Sequence, residues 1–212
     1  MIVSFCPRGP GRLNAFLKSV DVGEYILQGD LEAYSCKLAG LDKKLSKSLD
    51  QEVQTGSSPL ELSRSPVGPL AESSSRKTLI YLILTLNHIY PDYDFSLLRA
   101  HHFQKEDAVS KAEEAIDSHL LEVSKAICLK ECDVYCYKSD LETDPFGEQA
   151  SIWSFNYFFY NKKMKRILYF SCRAISKQAA DEATESSSKY DRYNTDTDDD
   201  SDRYGMATEM DV

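Results

Sequence analysis

One stretch of the chain, IWSFNYFFYNKKMKRILYF at residues 152–170, restricts the possible folds more than any other. Six of its first nine residues are aromatic, and four cations follow within the next seven. Successive side chains of a strand point to opposite faces of a sheet. One face would therefore carry Trp153, Phe155, Tyr157 and Phe159. The opposite face would carry Ile152, Ser154, Asn156, Phe158 and Tyr160.

The same stretch contains its own turn. After Asn161-Lys162-Lys163 the alternation resumes, with Ile167, Tyr169 and Ser171 on one side of the strand and Leu168, Phe170 and Cys172 on the other. This pattern predicts a β-hairpin with a basic tip. Because one face is strongly aromatic and the other partly apolar, we expect helices to cover the sheet.

Other segments add strands and helices to this hairpin. We predict two strands in 24–38, joined at Gln28-Gly29-Asp30, and a fifth strand at 132–137. Helical periodicity indicates helices over 12–20, 42–53, 76–89 and 106–126, the third capped by Ser75 and ending before Pro91. The fold class is therefore α+β, with a central antiparallel sheet of about five strands flanked by helices.

Two segments lack a sustained hydrophobic period. Residues 54–75 (QTGSSPLELSRSPVGPLAESSS) contain three Pro and two Gly among many serines, which predicts a mobile loop. Residues 177–212 contain eleven Asp or Glu against four Lys or Arg, which predicts a disordered acidic tail. We therefore expect one globular domain over 1–176, interrupted by the loop, followed by the tail.

The charge distribution argues against a nucleic-acid surface. The formal net charge is -9, of which the tail contributes -7, so residues 1–176 carry only -2. A nearly neutral body does not favour a phosphate backbone, and the glycine-aromatic pattern of RNA-binding sheets is absent. The start of the chain does not resemble a secretory signal, and no apolar run is long enough to span a membrane. We expect a cytosolic or nuclear protein.

No catalytic, metal-binding or cofactor motif stands out. The four histidines form no HExxH pattern, and no glycine-rich phosphate loop or GxSxG elbow occurs. Cys128, Cys132 and Cys136 are four residues apart, which is not the usual spacing of zinc ligands, and Cys36 fits a core position better than a nucleophile. We therefore expect no enzyme and no cofactor. A non-enzymatic binding protein, an adaptor of similar fold and a nucleic-acid-binding module remain open.

Three segments carry a resemblance to a known family. Residues 31–40 (LEAYSCKLAG), 76–96 and 131–173 closely resemble the Maf-type negative regulators of RNA polymerase III transcription, in particular plant members. The motifs PDYDFS, DPFG and WSFNYFFYN occur in the order that is typical of this family. Two regions depart from it, because the first eleven residues differ and the stretch from Lys105 to Ala126 is shorter than expected.

The resemblance implies a repressor without catalysis. Such a protein binds RNA polymerase III and the TFIIB-related subunit of TFIIIB, and it blocks recruitment of the polymerase to promoters. It also implies an antiparallel sheet with helices, and control by phosphorylation in a mobile loop. A TOR-pathway kinase would keep the protein inactive or cytoplasmic, and a type 2A-like phosphatase would release it, so we expect shuttling between nucleus and cytoplasm.

Three groups of residues are the candidate functional sites. The phosphorylation candidates are Ser65, Ser58 and Ser75, and the first two precede proline. The candidates for a nuclear-import signal, or for contact with phosphorylated residues, are Lys162, Lys163, Lys165 and Arg166 at the hairpin tip. The candidates for an acidic interaction with basic surfaces are Asp196, Asp198, Asp199 and Asp200 in the tail.

Overall fold

The computed structural model describes residues 14–15, 17–106, 128–138, 145–146 and 151–178 of the 212-residue chain. Its centre is a six-stranded antiparallel sheet. In chain order the strands are β1 (Val20–Asp21), β2 (Tyr25–Ser35), β3 (Phe103–Glu106), β4 (Asp133–Tyr137), β5 (Trp153–Asn161) and β6 (Arg166–Ser176). Their order across the sheet is β1-β2-β6-β5-β4-β3, so β6 lies near the centre.

The predicted hairpin and its two faces are confirmed. Strands β5 and β6 pair from Trp153 opposite Ala174 to Asn161 opposite Arg166. On one face Phe158 and Tyr169 pack in the larger hydrophobic core, while Phe159 and Phe170 pack in the smaller core on the other face. Simple alternation assigned these side chains to the correct faces of the sheet because every residue of both strands is paired without a bulge.

The prediction of two strands in 24–38 is wrong, since β2 is a single strand that pairs with β6 along all eleven residues. Gly29 lies inside it rather than in a turn. A Cβ built at this position would approach the carbonyl oxygen of Ser171 to 3.0 Å and Cβ of Leu17 to 3.6 Å. The glycine therefore permits close approach of neighbouring chain segments, which is one of the reasons for glycine within a strand.

The sheet has six strands instead of about five because two short strands extend its edges. Strand β1 pairs with β2 at Leu27 and Ile26, and β3 pairs with β4. Glu106 belongs to β3, although we predicted it as the first residue of a helix. The rest of that predicted helix lies outside the described residues. Of the helix predicted over 12–20, residues 14, 15 and 17 are helical, whereas Val20 already belongs to β1. Both added strands have four residues or fewer, too short for their alternation to stand out.

Two long helices contribute to the larger core. Helix α1 spans Gly40–Gly56 and buries Leu49 and Val53, in agreement with the predicted helix over 42–53. A later helix, Ser73–Ile89, buries side chains around most of its circumference and ends before Pro91, as predicted. Its start differs from the prediction, because Glu72 is the N-cap residue and Ser75 lies within the first turn.

The segment between these helices is not the loop that we predicted. Residues 54–56 complete α1, Pro59–Ser63 form the short helix α2, and residues 73–75 begin the later helix, here named α3. Val67 and Leu70, which lie between α2 and α3, are only 4% and 1% exposed. The prediction of a mobile loop over 54–75 is therefore wrong. Two buried apolar side chains and a capped helix order this segment, although its composition suggested no ordered structure.

Candidate functional site

The described part of the chain shows no metal-binding cluster. No group of three or more His, Cys, Asp or Glu side chains in it is placed to hold a metal ion. Cys36 is buried, and burial raises the pKa of its thiol to about 12, which makes it a poor nucleophile. Helices long and apolar enough to cross a membrane are absent from the same residues.

Ser58 is the N-cap residue of α2. Its side-chain oxygen accepts a hydrogen bond from the backbone N–H of Glu61 at 3.3 Å, and the Glu61 carboxylate accepts bonds from the Ser58 N–H and hydroxyl at 3.1 and 3.0 Å. This reciprocal arrangement is a capping box. Partial burial opposes ionisation of Glu61, but the bonds from Ser58 and the nearby His101 outweigh it and hold the pKa below its usual value.

Ser65 closes a tight turn in the same segment. Its hydroxyl donates to the carbonyl oxygen of Gly68 at 2.5 Å, and the Gly68 N–H donates to the Ser65 carbonyl at 3.0 Å. Gly68 has a φ of +105°, a conformation that favours glycine. A Cβ at this position would lie 2.6 Å from Oγ of Ser75. Gly68 thus brings two of the three predicted phosphorylation sites into one small cluster.

The three serines differ in accessibility. Ser58 is exposed and Ser65 is half-buried, whereas Ser75 is only 6% exposed. A kinase needs the hydroxyl in an accessible, extended backbone, so Ser75 requires opening of the first turn of α3. The structure therefore brings Ser65 and Ser75 together but presents only Ser58 and Ser65 near the surface.

Arg76 fixes the segment that carries these serines. Its Nε donates to Oδ1 of Asp50 in α1 at 2.8 Å, and its Nη1 donates to the carbonyl oxygens of Leu70 and Ala71 at 2.9 Å each. The Arg76 side chain is 10% exposed and that of Asp50 is 38% exposed. Sequence reasoning missed this clamp, since nothing local to RKT at 76–78 indicates partners that lie 5, 6 and 26 residues away.

The basic tip is partly neutralised by acidic residues at and just before the start of β4. Nζ of Lys162 lies 2.8 Å from Asp133, which Lys105 also contacts at 2.8 Å, and Nζ of Lys163 lies 3.4 Å from Glu131. Burial tends to raise the pKa of Asp133, but its two lysine partners outweigh that effect and lower it. The prediction of a purely basic tip missed these acidic neighbours, because residues 131–133 are remote in sequence.

The tip itself is a folded turn. Asn161 accepts a hydrogen bond from the backbone N–H of Met164 at 2.9 Å, and Lys165 adopts a left-handed conformation with φ +51°. The Lys165 carbonyl accepts a bond from the N–H of Cys36 at 2.9 Å, and Arg166 is the first residue of β6. The four cations are therefore held in a compact turn, and the acidic candidates Asp196, Asp198, Asp199 and Asp200 lie outside the described residues.

Comparison with known proteins gives consistent matches. The family model described as Maf1 regulator matches residues 27–171. A repressor of RNA polymerase III transcription from Dictyostelium discoideum is 36% identical over 228 residues, covering 78% of this chain and 82% of that protein. The repressor of RNA polymerase III transcription maf1 from Schizosaccharomyces pombe is 35% identical over 187 residues, covering 76% of this chain and 79% of that protein.

A solved structure is also similar over most of the chain. A crystal structure of citrus MAF1 aligns with a TM-score of 0.63 and 39% sequence identity, covering 79% of this chain and 99% of that one. Sequence identity and fold therefore agree over most of the chain.

Proposed function

Since the chain belongs to the Maf1 regulator family, we propose that it is a negative regulator of RNA polymerase III transcription. Family membership over residues 27–171, with two relatives named as repressors of that transcription, is the observation that supports this function most directly. We further propose that the protein works without catalysis. It binds the polymerase and the TFIIB-related subunit of TFIIIB, and it blocks recruitment of the polymerase to promoters.

Phosphorylation of residues 54–75, here called the serine segment, is the proposed control. A phosphate on Ser65 removes the hydroxyl proton that is donated to the Gly68 carbonyl and places about 1.5–2 negative charges beside that oxygen. The turn then opens, and the neighbouring Val67 loses the position that buries it. On Ser58, a phosphate lies beside the Glu61 carboxylate and replaces the capping box with repulsion. Both changes loosen the segment that connects α1 to α3.

A TOR-pathway kinase and a type 2A-like phosphatase are the proposed enzymes that act on these serines. The phosphorylated form is inactive or cytoplasmic, and the dephosphorylated form enters the nucleus and represses. The exposed side chains of Lys162 and Lys163 support the basic tip as a contact for an import receptor or for a phosphorylated residue. Because acidic residues already neutralise part of the tip, release of Asp133 and Glu131 would have to accompany either contact.

Co-precipitation with RNA polymerase III tests the function directly. The full chain, before and after phosphatase treatment, is incubated with purified polymerase, and transcription of a transfer-RNA template is measured in parallel. We expect capture and repression to increase after phosphatase treatment. Failure of capture in both states, with transcription unchanged, would reject the repressor function.

Variants of the serine segment test the control separately. Ser65→Ala should shift the protein toward the nucleus in fed cells, whereas Ser65→Thr keeps a hydroxyl and should retain normal regulation. Ser63→Ala is the matched control, because Ser63 lies in the same segment but does not precede proline. If Ser65→Ala and Ser63→Ala distribute alike in fed and starved cells, Ser65 is not part of the switch.

A further inference from the structure

A pocket of about 330 Å³ opens on the sheet beside Tyr90, the residue after the last turn of α3. Its walls come from β2, β5 and β6 and from Phe146 of the DPFG motif. The volume lies within the range of sites that hold small molecules. No residue of this pocket belongs to the serine segment or to the basic tip.

The register of the sheet places polar side chains in the floor of this pocket. Gln28 is opposite Arg173, and Asp30 is opposite Ser171. All four lie on the face that elsewhere carries the larger hydrophobic core, since they alternate in step with Tyr169. At this end the face therefore presents an amide, a hydroxyl and two opposite charges.

The cation in the floor is held in place by a neutral partner. Nε and Nη2 of Arg173 both donate to Oε1 of Gln28, at 3.0 and 2.8 Å. A guanidinium has five N–H donors, so these bonds leave donors for a further acceptor. Because Gln28 carries no charge, it orients the guanidinium without neutralising it.

The anion in the floor is also unneutralised. Within the described residues, neither Asp30 nor Arg173 forms an ion pair. Asp30 and Gln28 lie two residues apart on one face of β2, which corresponds to about 6.6 Å. Tyr90, Asp30 and Arg173 all line the pocket, so the two charges border the same space.

Aromatic rings form the apolar wall. The rings of Tyr90 and Phe146 meet edge to face with their centroids 5.4 Å apart. The Tyr90 hydroxyl lies 3.0 Å from that of Tyr169, which is fully buried, so Tyr90 is fixed at both its ring and its hydroxyl. The pocket thus combines an arginine oriented by Gln28, a second cation in Lys18, the carboxylate of Asp30 and an aromatic surface.

We propose that this pocket binds a small zwitterion, namely a free α-amino acid with an apolar side chain. The carboxylate of the ligand pairs with Arg173, its ammonium group pairs with Asp30, and its side chain packs against Tyr90 and Phe146. In an α-amino acid the two charged groups are separated by two bonds. Asp30 and Arg173 are diagonal neighbours on adjacent strands, about 7–8 Å apart, and a ligand that carries both charged groups can bridge this spacing with a hydrogen bond at each end.

Binding of L-phenylalanine to the purified full chain tests the proposal by ligand-observed NMR. The matched analogues are N-acetyl-L-phenylalanine, which lacks the ammonium charge, and L-phenylalaninamide, which lacks the carboxylate. We expect saturable binding of phenylalanine and at least tenfold weaker binding of each analogue. No polymerase is present, so the outcome is independent of the function proposed above.

Two substitutions locate the site. Asp30→Asn and Arg173→Met should each weaken phenylalanine binding at least tenfold, and Asp30→Asn should also remove the preference over the N-acetyl analogue. Lys77→Met, which removes an exposed cation of α3, is the control and should bind phenylalanine as the wild type does. The proposal would be overturned by no saturable binding at about 10 mM phenylalanine, by analogues that bind as tightly as phenylalanine, or by binding that survives both substitutions.

Discussion

Replacement of Arg76 by methionine should destabilise the protein more than any substitution of an exposed cation. Methionine keeps most of the aliphatic stem but removes three hydrogen bonds. The bond to the buried Leu70 carbonyl comes from a charged donor and contributes about 1.5–3 kcal/mol. Asp50 is 38% exposed, so that pair contributes about 0–1 kcal/mol, and the carbonyl of the exposed Ala71 regains water. We expect a total loss of about 2–4 kcal/mol.

Urea unfolding followed by far-ultraviolet circular dichroism measures this loss in free energy of unfolding. Lys77→Met, one position along the same helix, is the matched control and should change the free energy by less than about 0.5 kcal/mol. Asp50→Asn should cost about 1 kcal/mol, since both carbonyl bonds of Arg76 remain. An Arg76→Met variant as stable as the Lys77→Met control would refute the role assigned to the three hydrogen bonds of Arg76.

Hydrogen exchange tests whether the clamp acts locally. The N–H groups of Leu70 and Ala71 donate to the carbonyls of Glu61 and Leu62 in α2, at 3.1 and 3.0 Å. If Arg76 holds this connection in place, these two amides should exchange at least tenfold faster in Arg76→Met even in the absence of urea. Uniform acceleration across the sheet would instead indicate only global destabilisation.

Three further substitutions probe other contacts of the structure. Gly68→Ala should lower the free energy of unfolding in urea by about 1–3 kcal/mol, because φ of Gly68 is +105° and the new methyl group meets Ser75. Unchanged stability would contradict the conformation assigned to this turn. Asn156→Ala removes two buried hydrogen bonds to the backbone of Tyr137, of 2.8 and 3.0 Å, and should lower the free energy of unfolding by about 2–3 kcal/mol. A loss below about 0.5 kcal/mol would contradict the contribution of these bonds. The pKa of Asp133 is lowered in the folded state, so its stabilisation is present above the unfolded pKa of about 3.9 and is lost as the pH falls through the folded value. Wild-type stability should therefore fall more steeply than that of Asp133→Asn below about pH 4, and parallel pH profiles would contradict the two lysine contacts.

Parts of the candidate sites could be predicted from sequence and parts could not. Ser58 and Ser65 stand out as phosphorylation candidates because Ser-Pro pairs in a serine-rich stretch are visible locally, and the cations of the basic tip stand out because they follow a strand. The acidic partners of that tip were missed, since Asp133 and Glu131 reach it only through the pairing of β4 with β5. The polar pocket was missed for the same reason, because Gln28 and Arg173 are 145 residues apart.

The local pattern of residues determined the hairpin of β5 and β6, the faces of its side chains and the two long helices. Alternation and helical periodicity depend on neighbours within a few residues, so these elements can be recognised without the fold. The tertiary structure decided that β2 runs straight through Gly29 and that residues 54–75 are ordered. Both outcomes depend on long-range contacts: β2 gains a full-length partner in β6, and Arg76 joins the serine segment to Asp50. The free energy of such contacts exists only once distant segments have come together.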